Sequence, residues 1–223
     1  MEYQCIASSV EGFVQQLAVA YLPHGFWFYV TGHIPEHKDQ RSVDQKLLSK
    51  YGIAVSRNTR ARRKRAGLAN LHYLRHDRFF VLLATHGQHI FFDEERNSIR
   101  DVRRAPISFA GYSISFKRGN RKRKSPAGVA APDDKWHARV QIARDRYREL
   151  KAFFGEIATH RSAGKLASEF ARVPFEPYAP VRQQLLNLLR LVNKARKMAG
   201  YESVPPTVLR LRRRIVRPFE PRQ

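Results

Sequence analysis

Positive charge in this sequence comes in blocks, and each block must lie where water or a polyanion can reach it. Between Asp44 and Asp77 there is no acidic residue, while Arg57, Arg60, Arg62, Arg63, Lys64 and Arg65 fall within nine positions. A second block is Lys117, Arg118, Arg121, Lys122, Arg123 and Lys124. Acids are absent again from 177 to 201, where Arg182, Arg190, Lys194, Arg196 and Lys197 accumulate, and the tail adds Arg210, Arg212, Arg213, Arg214 and Arg217. One isolated run of this kind reads as a solvated face. Four runs with few compensating acids, in a chain whose 42 Lys and Arg outweigh 19 Asp and Glu to give +23, imply an extended basic surface. The polyanion most available to such a surface is nucleic acid.

The chain also has material for a core. At 43% hydrophobic residues, with 14 Phe, 9 Tyr and 2 Trp in 223 residues, a wholly disordered basic tail is excluded. Cys5 is the only cysteine, so no internal disulfide framework or thiolate-rich zinc site can form. The N-terminus lacks the basic opening of a secretory signal, and apolar runs such as 79–84 are too short to span a bilayer. The expectation is a cytoplasmic protein that does not engage a membrane.

Hydrophobic periodicity predicts an α+β fold: an antiparallel sheet flanked by an N-terminal helical part and a C-terminal helical part. Ser8 and Glu11 at capping-box spacing predict a first helix that ends before Pro23, and Ser42 and Gln45 predict another that closes at Gly52. A short helix follows Ser56 as N-cap and runs through the arginines to Gly67. Strands are expected at 26–31, 71–74, 79–85, 90–92, 107–116 (with Gly111 as a bulge) and 136–142, and helices at 144–160, 163–171 and 181–199. Residues 118–134, rich in Gly, Pro and Lys/Arg, predict a mobile basic loop. Three segments result: 1–67 with the first helices and strand, 68–142 with the sheet, and 143–223 with the last helices and the basic tail.

Residues 47–65, Leu-Leu-Ser-Lys-Tyr-Gly-Ile-Ala-Val-Ser-Arg-Asn-Thr-Arg-Ala-Arg-Arg-Lys-Arg, have the order of a helix-turn-helix: a bracing helix, a glycine turn, and a second helix bearing long donors. This stretch resembles the DNA-binding helix-turn-helix of the sigma-54 family, whose signature helix follows a Gly-Ile turn and carries an Arg-Thr-x-x-x-Arg type pattern. The resemblance implies that Arg57, Asn58, Arg60, Arg62 and Arg63 face a duplex. It departs at Arg60, where the family has an apolar residue, and Ala61 and Ala66 are all the second helix offers a core. A basic surface helix held by its neighbours is the alternative. A shorter stretch, Phe109-Ala110-Gly111-Tyr112, is similar to the Phe-Leu-Gly-Tyr strand of group II intron reverse transcriptases and maturases. The Tyr-Ala-Asp-Asp box of that family is absent, since Tyr73-Leu74-Arg75-His76-Asp77-Arg78 holds one acid, so polymerase activity is not implied.

The expected function is nucleic-acid binding, of the kind a mobile genetic element encodes, with DNA favoured over RNA by the helix-turn-helix spacing. Arg57, Asn58, Arg60, Arg62, Arg63, Lys64 and Arg65 would supply the central contacts. Lys117, Arg118, Arg121, Lys122, Arg123 and Lys124 would clamp the flanking backbone, and Arg210, Arg212, Arg213 and Arg214 would add sequence-neutral charge. This reading assigns no catalytic residue, metal or cofactor. Trp136, Tyr112 and Phe116, near basic runs, would either stack on unpaired bases or fill the core. An enzyme reading competes: His86, His89, Asp93, Glu94 and Glu95 hold a divalent metal, and Tyr147 or Tyr112 serves as nucleophile of a nicking enzyme. His86 and His89 would share a metal only through a turn at Gly87, because side chains alternate along a strand. A structural RNA-binding protein is the third reading.

Overall fold

The computed structural model describes residues 3–119, 122–124, 130–132 and 135–220. The fold is α+β, with helices before and after the strands along the chain and antiparallel sheets. Two compact units are woven from non-contiguous segments: Met1–Ile107, Ser115–Ala138 and Val216–Gln223 make the first, Ser108–Ile114 and Arg139–Ile215 the second.

In the first unit, α1 (Val10–Gln15) continues through a π-helical turn (Gln16–Tyr21) and a 3-10 turn (Leu22–His24) that ends at Gly25. Its N-cap is Ser9, whose side chain accepts from the Gly12 N–H, rather than the expected Ser8. Ser8 instead bonds the returning C-terminal segment: its N–H donates to the Pro218 carbonyl at 2.8 Å. The helix α2 (Gln40–Lys50) starts earlier than the Ser42/Gln45 spacing predicts, because the Asp39 carboxylate caps it by accepting from the Ser42 N–H. Next come α3 (Arg57–Arg65) and four strands: β1 (Phe28–His33), β2 (Leu71–His76), β3 (Phe79–Ala84) and the short β4 (Arg100–Asp101). They form a sheet of order β2-β3-β1-β4. β3 is an inner strand paired on both edges, and its sequence Phe-Phe-Val-Leu-Leu-Ala is apolar throughout. Residues 90–92, expected as a strand, instead enter the one-turn helix α4 (Phe91–Glu94). There the His89 Nδ1 accepts the Phe91 N–H, and Asp93 and Glu94 sit in the first turn, where the helix dipole favours acids.

The core under this sheet gathers Cys5, Tyr51, Ile53, Leu71, Tyr73, Leu82 and Phe91, all buried. One polar group is built into it. The Asp44 carboxylate accepts from Arg75 Nε at 2.8 Å, from Arg75 Nη2 at 2.8 Å and from the Tyr73 hydroxyl at 2.6 Å, and both charged side chains are almost wholly buried.

The single strand expected over 107–116 is two, β5 (Ile107–Phe109) and β6 (Tyr112–Arg118). Ala110 at φ +45 and Gly111 at φ +78 make the two-residue turn between them, the backbone of a tight hairpin rather than a bulge. β6 continues towards β7 (Lys122–Lys124), which pairs antiparallel with β8 (Ala130–Pro132) in part of the span expected to be a loop. β9 (Trp136–Ile142), found where the pattern places it, completes a three-stranded sheet of order β5-β6-β9.

The second unit is dominated by α5 (Arg144–Ile157), α6 (Ala163–Ala171) and α7 (Ala179–Met198). Phe154 and Phe170 stack at 4.1 Å, and Val181, Leu185, Leu188, Leu189 and Val192 give α7 its buried stripe. No helix among the described residues is long and apolar enough to cross a membrane.

Candidate nucleic-acid interface

The Ser56 side chain caps α3 by accepting from the Thr59 N–H, and the helix then carries six cations and no acid. Those six divide into two sets. Arg60 turns inward: Nη1 donates to the Leu71 carbonyl at 2.7 Å and Nη2 to the Ile53 carbonyl at 2.7 Å, while the Asn70 amide donates to the Arg60 carbonyl. Burial pulls the Arg60 pKa below its usual value. Arg63 donates to the Gly52 carbonyl at 3.0 Å. These two arginines tie α3 to the sheet and to the turn after α2, so the resemblance to a duplex-facing pair is not how the structure places them.

Arg57, Asn58, Ala61, Arg62, Lys64 and Arg65 are exposed. With about 100° per residue they span an arc of roughly 160° on the helix, opposite the inward residues. Among the described residues no carboxylate pairs with Arg57, Arg62, Lys64 or Arg65. The connection from α2 to α3, residues 51–56, is longer than the roughly three or four residues of a helix-turn-helix. Tyr51 and Ile53 within it are core residues. α3 is therefore a basic surface helix anchored on a sheet.

The second block centres on β6. The Lys117 ammonium donates to the Arg103 carbonyl, and Arg118 is exposed. Lys122, Arg123 and Lys124 occupy β7, and Arg121 lies outside the described residues. A stack that the sequence does not reveal as a unit is built around Phe116 of β6. The Arg103 guanidinium lies 4.4 Å from the Trp27 ring, Trp27 stacks on Phe116 at 5.9 Å, Phe116 on Trp136 at 5.8 Å, and Arg118 stands 5.8 Å from the Trp136 ring. Phe116 and Trp136 are recognisable as candidates from the sequence, but Arg103 and Trp27 carry no local signal.

Of the tail arginines, Arg210, Arg212, Arg213 and Arg214 lie in the second unit, where they serve mixed roles. Arg210 pairs with the buried Glu176 at 2.6 Å, whose other oxygen accepts the Arg214 N–H. Arg213 lies 4.9 Å from the Tyr178 ring, and the side chains of Arg212 and Arg214 are exposed. Arg182, Arg212 and Arg213 line a shallow cleft with Pro177, Tyr178 and Leu211. Arg196, by contrast, is buried and donates to the Ala158 and Arg161 carbonyls at the end of α5.

Five residues of the enzyme reading, His89, Glu94, Glu95, Tyr112 and Tyr147, are engaged elsewhere. Glu94 pairs with Lys50 at 2.7 Å, which holds its carboxyl below the usual range, and Glu95 accepts from the Tyr51 hydroxyl at 2.6 Å. His89 accepts the Phe91 N–H, and burial lowers its pKa, while the His86 ring lies 6.4 Å from that of Phe28. Gly87 does make a turn, at φ +136, but that turn packs on the chain leaving α3, with the Gln88 N–H donating to the Gly67 carbonyl. Among the described residues no three His, Cys, Asp or Glu side chains are grouped to hold a metal. The Tyr147 hydroxyl donates to the Gln184 carbonyl at 3.3 Å, and the Tyr112 hydroxyl accepts the Glu176 N–H.

No protein-family model matches the chain, and no curated protein matches it.

Proposed function

We propose that the chain binds nucleic acid, duplex DNA ahead of RNA, with the outward face of α3 as its principal contact and the β6–β7 segment as a flanking one. The observation that carries this reading is the division of α3. Two arginines fix the helix to the protein, and four cations without described carboxylate partners point away from it. A solvated structural helix has no need to exclude acids. A polyanion site does, because each phosphate neutralised releases a counterion and an acid on the same face would oppose that.

The test is a fluorescence-anisotropy titration of labelled duplex across a salt series, with the triple variant Arg57→Ala, Arg62→Ala, Arg65→Ala beside the wild type. These side chains are exposed, so the fold should tolerate their loss. The expected result is weaker binding whose logarithm falls less steeply with log salt, by roughly 0.9 per lost phosphate contact. An unchanged slope removes α3 from the interface, and an RNA hairpin bound more tightly than duplex at every salt reverses the DNA preference.

A further inference from the structure

We propose that Trp136 is a stacking site for an unpaired base of a single-stranded nucleic acid. The inference rests on the nucleic-acid reading above and adds the form of the ligand at one place on the chain.

Tryptophan is usually well buried, yet Trp136 is 40% exposed at the first position of β9. It is also held in a fixed plane. Its ring lies 19° from that of Phe116, which lies 28° from Trp27, which in turn is fixed by donating from Nε1 to the Leu22 carbonyl and by the Arg103 guanidinium. Asp101 clamps that guanidinium at 2.7 Å. A core would end such a stack in apolar contacts, whereas this one ends in a ring that is 40% exposed, with the Arg118 guanidinium 5.8 Å from it. A flat, pre-oriented ring loses little entropy when another ring stacks on it, and every base offers a π-face.

The surroundings supply positive charge for the phosphates that a base brings with it. Arg118 stands at the ring near the outer limit of a cation–π contact, and no described carboxylate pairs with it. Trp136 opens β9 next to the exposed Lys135, and the neighbouring strand β6 ends in the exposed Arg118. A stacked base at Trp136 thus places its phosphates near these cations, the combination of aromatic platform and positive charge by which single strands are held without sequence preference. Duplex DNA keeps its bases stacked on each other and cannot use the ring.

Trp27 and Trp136 are the only tryptophans, and both belong to the stack, so the protein's own emission reports on it. In the full chain with Trp27→Phe, saturating oligothymidylate or oligouridylate should quench the Trp136 emission, and duplex should not. Trp136→Ala should weaken single-strand binding roughly tenfold, on the scale of one lost base stack, with duplex affinity unchanged, and Trp136→Phe should recover most of the loss. If Trp136→Ala binds the single strand as tightly as the wild type, or if single strand saturates the Trp27→Phe chain with no change in emission, the stacking site is overturned while duplex binding through α3 stands. If the wild type binds neither polymer, both readings fall together.

Discussion

Arg60 and Arg62 stand two positions apart on one helix and do opposite things. Arginine presents five N–H donors in a planar fork, so it can satisfy backbone carbonyls at an element's edge as readily as it meets a phosphate. Arg60, Arg63 and Arg196 do the first, and Arg57 and Arg62, exposed and without a carboxylate partner among the described residues, are the ones proposed for the second. Inward Arg60 has a consequence for its neighbour. His72 lies between the rings of Tyr21, at 4.3 Å, and Tyr3, at 6.0 Å, with its Nδ1 2.8 Å from the Tyr3 hydroxyl. Burial, and then the Arg60 charge, push its pKa down to about 3. The folded protein therefore refuses a proton that the unfolded chain accepts below its ordinary value of 6.5. Stability is full above that pH and falls as pH drops towards 3, by up to about 1.4 kcal/mol per pH unit from this group. Between neutral pH and pH 5 the loss should approach about 2 kcal/mol by urea unfolding, and His72→Asn should remove that share of it. An equal acid loss in both proteins would mean that His72 is protonated in the fold.

At the level of elements, the glycine turn at 85–89 decides how the end of α3 is held. A Cβ on Gly87 would sit 2.6 Å from the Ala69 nitrogen and 2.7 Å from the Gly67 carbonyl oxygen, both backbone, at a φ of +136 that side chains rarely adopt. Gly87→Ala should therefore cost about 2 kcal/mol or more in chemical denaturation, against under about 0.5 for a tolerant surface loop. A near-neutral result would show that the turn does not brace the chain leaving α3. Most elements were legible from periodicity: α6 and β9 fall where the pattern places them, and α3 starts after Ser56. What was not legible has physical causes. Ser8 and Ser9 are equivalent cap candidates until the tail claims Ser8, and Asp39 caps α2 from outside the expected motif. Ile90-Phe91-Phe92 is an apolar run of either period, and in the helix the His89 Nδ1 accepts the Phe91 N–H and acids follow in the first turn. Ala110 hides a turn because alanine rarely takes positive φ, so the run reads as one strand. The candidate interface was legible as charge. Which cations face outward, and that Trp27, Phe116 and Trp136 stack, depends on pairings between segments far apart in the chain.

For the whole molecule the question is how a fold tolerates +23. Part of the small acid supply is spent internally: Asp44 on Arg75, Asp101 on Arg103 and Glu176 on Arg210. Outward cations then repel one another across distances comparable to a Debye length, about 10 Å at 0.1 M salt. Salt should act on the free and bound protein with opposite signs, which separates self-repulsion from binding. In free protein, raising NaCl from about 50 to about 500 mM screens the repulsion and should raise the thermal midpoint. Nucleic acid at about 100 times its Kd should add about 2.7 kcal/mol by linkage, roughly 5 to 10 °C for a chain of this length. That increment should shrink over the same salt range, because counterion release weakens the complex. A differential scanning experiment with and without oligonucleotide at each salt measures both. A free-protein midpoint that does not rise with salt would mean that the positive surface is already compensated within the fold, and net charge would then give no reason to expect a bound polyanion.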